Sequence, residues 1–325
     1  MNFFASNVDG MNVSLLIVLL ALGYQTASAA SLLETFGSGD NAFSMEFVTI
    51  GNPGNAADTT GSPNSVGSVA YVYNIGKYEV SREQIDKANA AGSLGISLQN
   101  MSSYGGNGLL KPATGISFYE AAGYANWLNE SKGYQAAYKF VDGTFQLWSS
   151  TDAGYNANNK FRNSLAKYVI ASSDEWYKAA YGNLDGTWNN YATGSDSAPT
   201  ASASGTLANT AVYAQSGSTG PADISNAGGL SAYGTMGQGG NAWERIETAS
   251  DGINDTVGET QEVRGGTWGN SSSTFLAASY RDSRSPTAQD TSFGFRVAAV
   301  GVPEPSSLSL LATGLGALAI LRRRK

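Results

Sequence analysis

The sequence of 325 residues contains no cysteine and no histidine. Without cysteine, the chain has no disulfide, no thiolate nucleophile and no thiolate ligand for a metal. Without histidine, it lacks the commonest metal ligand and the usual acid or base for chemistry near neutral pH. We therefore expect no zinc, copper or iron site in this protein.

Charged residues are also few, at 14% of the chain, and the formal net charge is -7. No run of lysine or arginine occurs before the last four residues, so the positive surface that binds nucleic acid is missing. The 40 glycines, together with serine, threonine and asparagine, must then make the surface polar. With 42% hydrophobic residues the chain can bury a full core, and its composition suits an exported, loop-rich protein.

The first 29 residues have the pattern of a secretory signal peptide. An apolar run at residues 13–23 is too short to span a bilayer, and a small-x-small pattern follows at Ala27, Ser28 and Ala29. No lysine or arginine precedes the run, which departs from the usual pattern. We predict a signal peptide over residues 1–29, with a buried N-terminal segment as the alternative.

Three stretches place a glutamine or glutamate three residues after a serine, which is the spacing of a helix capping box. The pairs are Ser81 with Gln84, Ser117 with Glu120, and Ser172 with Glu175. Apolar residues at helical spacing follow, so each pair predicts the start of a helix. For Glu175 a catalytic role is the alternative, and capping is the interpretation that we favour.

Alternating apolar residues predict short strands at residues 47–50, 262–264, 275–281 and 292–300. Turn-forming residues occur throughout residues 182–229, and apolar residues show no sustained helical or strand periodicity there. This segment is therefore expected to form long loops that lie on the rest of the domain.

Residues 237–245 read Gly-Gln-Gly-Gly-Asn-Ala-Trp-Glu-Arg, which describes a tight turn that seats an indole beside one carboxylate. Downstream follow Arg-Gly-Gly-Thr-Trp at 264–268, Tyr-Arg at 280–281 and Gly-Phe-Arg-Val at 294–297. In this order the motifs resemble the signature of the formylglycine-generating enzyme, or sulfatase-modifying factor, family. The resemblance extends over most of the chain and is strongest between residues 234 and 296.

The resemblance implies an α+β fold of the C-type-lectin-like kind over residues 30–301, with short helices, irregular antiparallel strands and long loops. The capped helices and scattered strands predicted above agree with it. Oxidase members of the family use a pair of cysteines that bind copper, and its sulfoxide-synthase branch holds iron with histidines. Because this chain has neither residue type, the resemblance does not carry that chemistry over.

Calcium is the cofactor that the resemblance leaves open, because its ligands are hard oxygens. Family members bind it at the glycine-to-glutamate turn, where an aspartate or asparagine is expected at the position of Gly237. The implied ligands here are Gly240, Ala242 and Glu244, and a second implied site maps onto Asn209 and Asp223. The alternative, which we favour, is that Glu244 pairs with an arginine such as Arg264, Arg281 or Arg296.

The last 24 residues combine three features in order. Pro303, Glu304 and Pro305 precede an apolar run at 308–321, and a basic cluster of Arg322, Arg323, Arg324 and Lys325 ends the sequence. The run would span about 21 Å as a helix, against roughly 30 Å of hydrocarbon, so an ordinary short anchor is one interpretation. The order resembles the PEP-CTERM sorting signal of Gram-negative bacteria, which implies recognition by a membrane exosortase and only transient membrane attachment.

Together these features predict an exported protein at the cell surface or in the extracellular matrix. Its domain is expected to be a non-catalytic module that binds exopolysaccharide or another surface ligand. Two alternatives stay open: an oxidoreductase or protein-modifying enzyme of the same family, and a purely structural matrix protein. Four aromatic residues are candidates for stacking on sugar rings, although partial burial in the core is the favoured interpretation: Tyr104, Tyr155, Trp188 and Tyr191.

Overall fold

The computed structural model describes residues 31–301. The predicted signal peptide at 1–29 and the predicted sorting segment at 302–325 lie outside these residues. Among the helices of residues 31–301, none has both the length and the apolar character needed to cross a lipid bilayer.

Three α-helices occur in the described residues: α1 (Arg82–Gly92), α2 (Phe118–Ser131) and α3 (Ser173–Tyr181). Each begins with a complete capping box. The serine hydroxyl accepts from the backbone N–H of the residue three positions later, and the side chain of that residue accepts from the serine N–H. The prediction that Ser81, Ser117 and Ser172 start helices is confirmed.

The strands of the described residues are short. In chain order they are β1 (Ser31–Phe36), β2 (Phe43–Ile50), β3 (Tyr73–Gly76), β4 (Lys139–Val141), β5 (Thr144–Gln146), β6 (Tyr168–Ile170), β7 (Thr200–Ala201), β8 (Thr210–Ala211), β9 (Trp243–Ala249), β10 (Gln261–Arg264), β11 (Asp282–Arg284), β12 (Phe293–Gly294) and β13 (Val297–Ala299). Single 3-10 turns lie at Gly39–Asn41, Ile224–Asn226 and Ser273–Leu276.

Two main sheets organise these strands. The first has the order β1-β2-β3-β13-β6, and every pairing in it is antiparallel. The second has the order β11-β10-β9-β12, in which β12 runs parallel to β9. The C-terminal strand β13 thus fills the gap between β3 and β6 and joins the beginning of the domain to its middle.

The predicted strand at residues 275–281 is wrong. A 3-10 turn, Ser273–Leu276, occupies its first part, and the Ser272 hydroxyl caps this turn by accepting from the Thr274 N–H at 3.2 Å. Phe275 packs edge-on against Tyr280, with ring centroids 5.0 Å apart, so these apolar side chains meet across a turn. The strand β11 begins only at Asp282.

The core lies between the five-stranded sheet and the helices. The predicted apolar face of α2 is fully buried and consists of Phe118, Ala121, Ala122, Ala125 and Leu128. Helix α2 packs on β6 of the five-stranded sheet, and α3 packs on β9 of the four-stranded sheet. Residues 182–229 contain only β7, β8 and one 3-10 turn among the described elements, which confirms the predicted loops.

Candidate functional site

The central turn at residues 237–244 is built around a carboxylate from a distant part of the chain. Glu79 is buried, and it accepts hydrogen bonds from the Asn241 Nδ2 at 2.6 Å and from the Ala242 N–H at 3.0 Å. Gly240 has a φ of 97°, and a Cβ there would lie 2.5 Å from the Val212 carbonyl oxygen, so only glycine fits. No role for Glu79 was predicted from the sequence.

Glu79 also lies beside the first glycine of the turn. A Cβ at Gly237 would stand 3.1 Å from the Glu79 Oε2. The position where the family resemblance calls for an aspartate or asparagine is therefore approached here by the carboxylate of Glu79. Burial, with the nearby charge of Glu244, raises the pKa of Glu79 to about 8.

Glu244 is bound on both oxygens by side chains of the protein. Arg296 donates from Nε to Oε2 at 2.6 Å and from Nη2 to Oε1 at 2.5 Å, and the Trp176 indole donates to Oε2 at 2.6 Å. Of the three candidate arginines, Arg296 is the partner, while Arg264 and Arg281 both pair with Glu262. The pairing of Glu244 with an arginine is thus present in the structure.

The residues predicted as calcium ligands lie in two places. Gly240, Ala242 and Glu244 share the central turn. Asn209 lies just before β8, and its Oδ1 accepts from the Thr193 hydroxyl at 2.8 Å, while Asp223 precedes the 3-10 turn Ile224–Asn226. Within residues 31–301, no group of three or more acidic side chains is placed to hold a metal ion. Calcium binding at these residues stays a prediction.

A second buried charge network lies under the surface of the domain. Arg162 donates to both oxygens of Glu175 at 2.9 Å and to the Glu247 Oε2 at 2.7 Å. Tyr138 also donates to the Glu247 Oε2, at 2.6 Å. Burial alone would raise the pKa of Glu175, but the charge of Arg162 holds that pKa below its usual value. Glu175 meanwhile accepts from the Ser172 N–H at 2.7 Å, as the capping interpretation requires.

Three adjacent surface cavities, of which the third is lined by Arg162 of this network, are called together the polar groove. The first, of about 260 Å³, is lined by Ser250, Glu262, Arg281, Asp282 and Ser283. The second, also about 260 Å³, shares Glu262 with the first. The third, about 400 Å³, shares Asn159 with the second and ends at Val300 and Gly301. The shared walls make the first and second cavities neighbours, and likewise the second and third.

Amide and hydroxyl side chains line much of the second and third cavities of the polar groove. The amides are Asn156, Asn158, Asn159, Asn163 and Asn254, and the hydroxyls include Ser65, Ser164, Ser172, Ser173 and Thr248. Tyr71 and Val72, which are 44% and 49% exposed, add an aromatic ring and an apolar surface to the third cavity. Asn159, Asn163 and Asn254 already make hydrogen bonds within the protein. The exposed side chains of Ser65, Asn158 and Ser164 therefore offer the hydrogen bonds to a ligand, and Tyr71 offers one ring for stacking.

The charged groups of the polar groove are largely paired within the protein. Glu262 accepts from the Ser173 hydroxyl at 2.7 Å, from the Arg264 Nε at 3.1 Å and from the Arg281 Nη1 at 2.5 Å. Asp282 pairs with Arg284 at 2.7 Å. Asp174 is exposed and accepts from the Gly67 N–H at 2.7 Å.

The polar groove was not predicted from the sequence. The four aromatic residues named as sugar-stacking candidates do not line its three cavities. Tyr104 instead lies against Trp268, with ring centroids 5.8 Å apart, and Trp188 lies against Tyr177 at 5.4 Å. The one available signal was the cluster of amides at residues 156–159, where three of four residues are asparagine.

Residues 41–300 match the family model of the sulfatase-modifying factor enzyme 1-like domain, and residues 301–325 match that of the PEP-CTERM protein-sorting motif. No curated protein matches the chain in sequence.

Among solved structures, Treponema denticola variable protein 1 aligns with a TM-score of 0.57 and 20% identity, over 84% of this chain and 99% of that one. The crystal structure of CarF aligns with a TM-score of 0.54 and 18% identity, over 78% of this chain and 98% of that one. At such identities the likeness concerns the fold alone, and the predicted α+β, C-type-lectin-like fold is confirmed.

Proposed function

The chain belongs to the sulfatase-modifying factor enzyme 1-like family, and we propose that its domain is a non-catalytic module that binds exopolysaccharide in the polar groove. The sorting motif at residues 301–325 implies export and recognition by an exosortase. In this proposal the apolar run at 308–321 holds the protein in the membrane only until sorting is complete. The domain then acts at the cell surface or in the extracellular matrix.

The observation that carries this proposal is the chemistry of the polar groove. Sugars present many hydroxyl groups, which pair with planar amides and with serine and threonine hydroxyls. Their rings also have apolar faces that pack on aromatic side chains, and Tyr71 offers such a face at 44% exposure. An open groove with both kinds of contact suits a polysaccharide better than a small apolar ligand.

Binding without catalysis is favoured by the state of the groove's reactive groups. Glu262, the buried carboxylate of the groove, accepts hydrogen bonds from Ser173, Arg264 and Arg281, so it is engaged within the protein. The chain also lacks the cysteines and histidines that carry redox chemistry in the family. Glu262 is therefore held as a hydrogen-bond acceptor of the protein and is not free to act as a nucleophile or a base.

The test is co-sedimentation of the purified mature protein with exopolysaccharide from the organism that makes it. We expect retention of the wild type, and a clear loss of retention in Tyr71→Ala and Asn158→Ala. Asn226→Ala is the matched control, because Asn226 is also an exposed asparagine and does not line the groove. A folded wild type that is not retained would favour the purely structural alternative. Covalent change of a protein or peptide substrate would favour the enzymatic one.

A further inference from the structure

We infer that the polar groove takes an extended, uncharged polymer of sugar units and excludes polyanionic polysaccharides. This inference rests on the proposed function, because it names the class of polysaccharide that the same groove accepts. It follows from two properties of the groove, namely its length and the pairing of its charges.

The length of the groove favours a polymer over a single sugar. The three cavities are adjacent, since Glu262 lines both the first and the second and Asn159 lines both the second and the third. Each cavity presents polar side chains of its own, such as Ser283 in the first, Asn158 in the second and Ser164 in the third. A chain of linked units contacts all three cavities at once, so its affinity rises with length until the groove is filled.

The cations of the groove are already bound to carboxylates of the protein. Arg162 donates to Glu175, to Glu247 and to the Ile170 carbonyl oxygen, and it lines the third cavity. Arg281, which lines the first cavity, donates to Glu262. A polyanion would have to compete with these carboxylates for the same guanidinium groups.

The net charge of the whole domain also disfavours the binding of polyanions. Residues 31–301 contain 15 lysine and arginine residues and 24 aspartate and glutamate residues, which gives a net charge of -9. Asp174 adds an exposed carboxylate to the groove itself. Polyanions are therefore repelled at a distance, and the two arginines that line the groove are already paired with carboxylates, whereas a neutral sugar carries no charge for the acidic domain to repel.

The test separates the organism's exopolysaccharide into neutral and acidic fractions by anion exchange and measures binding of the mature protein to each. The expected result is binding of the neutral fraction, at low as well as at high salt. Binding of the acidic fraction, alone or together with the neutral one, would overturn this inference and leave the proposed function standing. Binding of neither fraction by the folded protein would overturn both.

A charge variant tests the same inference from the side of the protein. Asn158→Lys places an unpaired cation in the groove, and we expect it to gain binding of the acidic fraction that weakens as salt is added. Asn226→Lys carries the same added charge outside the groove and is expected to gain none. Equal gains in the two variants would mean that net charge, rather than the groove, decides the specificity.

Fragment length provides the last measurement. Partial hydrolysis of the neutral fraction gives fragments of increasing size, and we expect their affinity to rise severalfold and then to level off once they fill the three cavities. Affinity that is the same for single sugars and for long fragments would show a single-sugar pocket and would overturn the inference of an extended ligand.

Discussion

Arg296 binds Glu244 with two parallel hydrogen bonds, at 2.6 and 2.5 Å, and both side chains are fully buried. Arg296 also donates to the carbonyl oxygens of Gly76 and Met236, each at 2.8 Å. One guanidinium thus joins the central turn, the end of β3 and the loop before the turn. Hydrogen bonds of this geometry offset the free-energy cost of removing the two charges from water.

We predict that Arg296→Met strongly destabilises the domain, because it leaves Glu244 charged and buried without its cation. The expected loss is about 3–5 kcal/mol in the free energy of unfolding, measured by urea denaturation of the mature protein. Lys87→Met is the control, since the Lys87–Glu83 pair is partly exposed and lies on the surface of α1. Its expected cost is below about 1 kcal/mol. Equal losses in the two variants would contradict the prediction.

The buried carboxyl of Glu79 predicts a pH dependence of stability. Its pKa is raised from 4.5 to about 8, so between these values the folded protein holds a proton that the unfolded chain releases. The free energy of unfolding therefore decreases as pH rises through this window. Glu79→Gln removes the titrating group, and we expect its melting temperature to change less between pH 5 and 8 than that of the wild type.

Glu130→Gln is the matched control for this measurement, because Glu130 is exposed at the end of α2. The melting temperature of Glu130→Gln should change with pH in the same way as that of the wild type. If Glu79→Gln also follows the wild type, the raised pKa of Glu79 does not govern the pH dependence.

Calcium binding is tested by melting the mature protein in millimolar calcium and in chelator. If the predicted ligands hold an ion, calcium stabilises the folded state by mass action and raises the melting temperature. At a calcium concentration 100 times the dissociation constant, the free energy of unfolding rises by about 2.7 kcal/mol. Asp223→Asn should weaken the shift if the second predicted site is used, and Glu244→Gln should weaken it if the turn is used. The absence of any shift in the wild type would leave Glu244 as the partner of Arg296 alone.

We expect no formylglycine-generating activity. That oxidation uses a thiolate of the enzyme, and the chain contains no cysteine. The measurement is mass spectrometry of a cysteine-containing sulfatase peptide after incubation with the mature protein, copper and oxygen. Copper-dependent conversion above a protein-free blank would contradict the expectation.

The sorting motif predicts a processed C-terminus. Pro303 and Pro305 disfavour a regular helix or a central strand, so the sequence predicts an extended, accessible segment before the apolar run. The intact mass of the protein from a host with an exosortase should place the C-terminus near Pro305. An uncut chain in the membrane fraction, with residues 308–325 still attached, would show that the segment is only an anchor.

The sequence predicted best those features that depend on neighbouring residues. The capping boxes at Ser81, Ser117 and Ser172 are local hydrogen-bond patterns, and all three form as predicted. The choice of Arg296 as the partner of Glu244 was left open, because three arginines competed and only tertiary contacts distinguish them. Glu79 was missed for the same reason, since it meets Asn241 across 162 positions of the chain.

The polar groove was harder still to predict. Its walls come from separate segments, such as those containing Tyr71, Asn159 and Glu262, and no single segment has a motif that marks a site. Amide side chains are also common in loops that bind nothing. Only the position of these loops above the network of Arg162 and Glu247 makes their amides converge.

The central position of β13 in the five-stranded sheet fixes when the domain is able to fold. Strands β3 and β6 do not pair with each other, and β13 (Val297–Ala299) lies between them and pairs with both. A ribosome must therefore finish almost the whole domain before its largest sheet closes, and pairings between such distant segments form slowly. Until then β3 has a partner on one side only and β6 has none in this sheet. The last strand to be made therefore closes the sheet, and it stands directly before the sorting motif at residues 301–325.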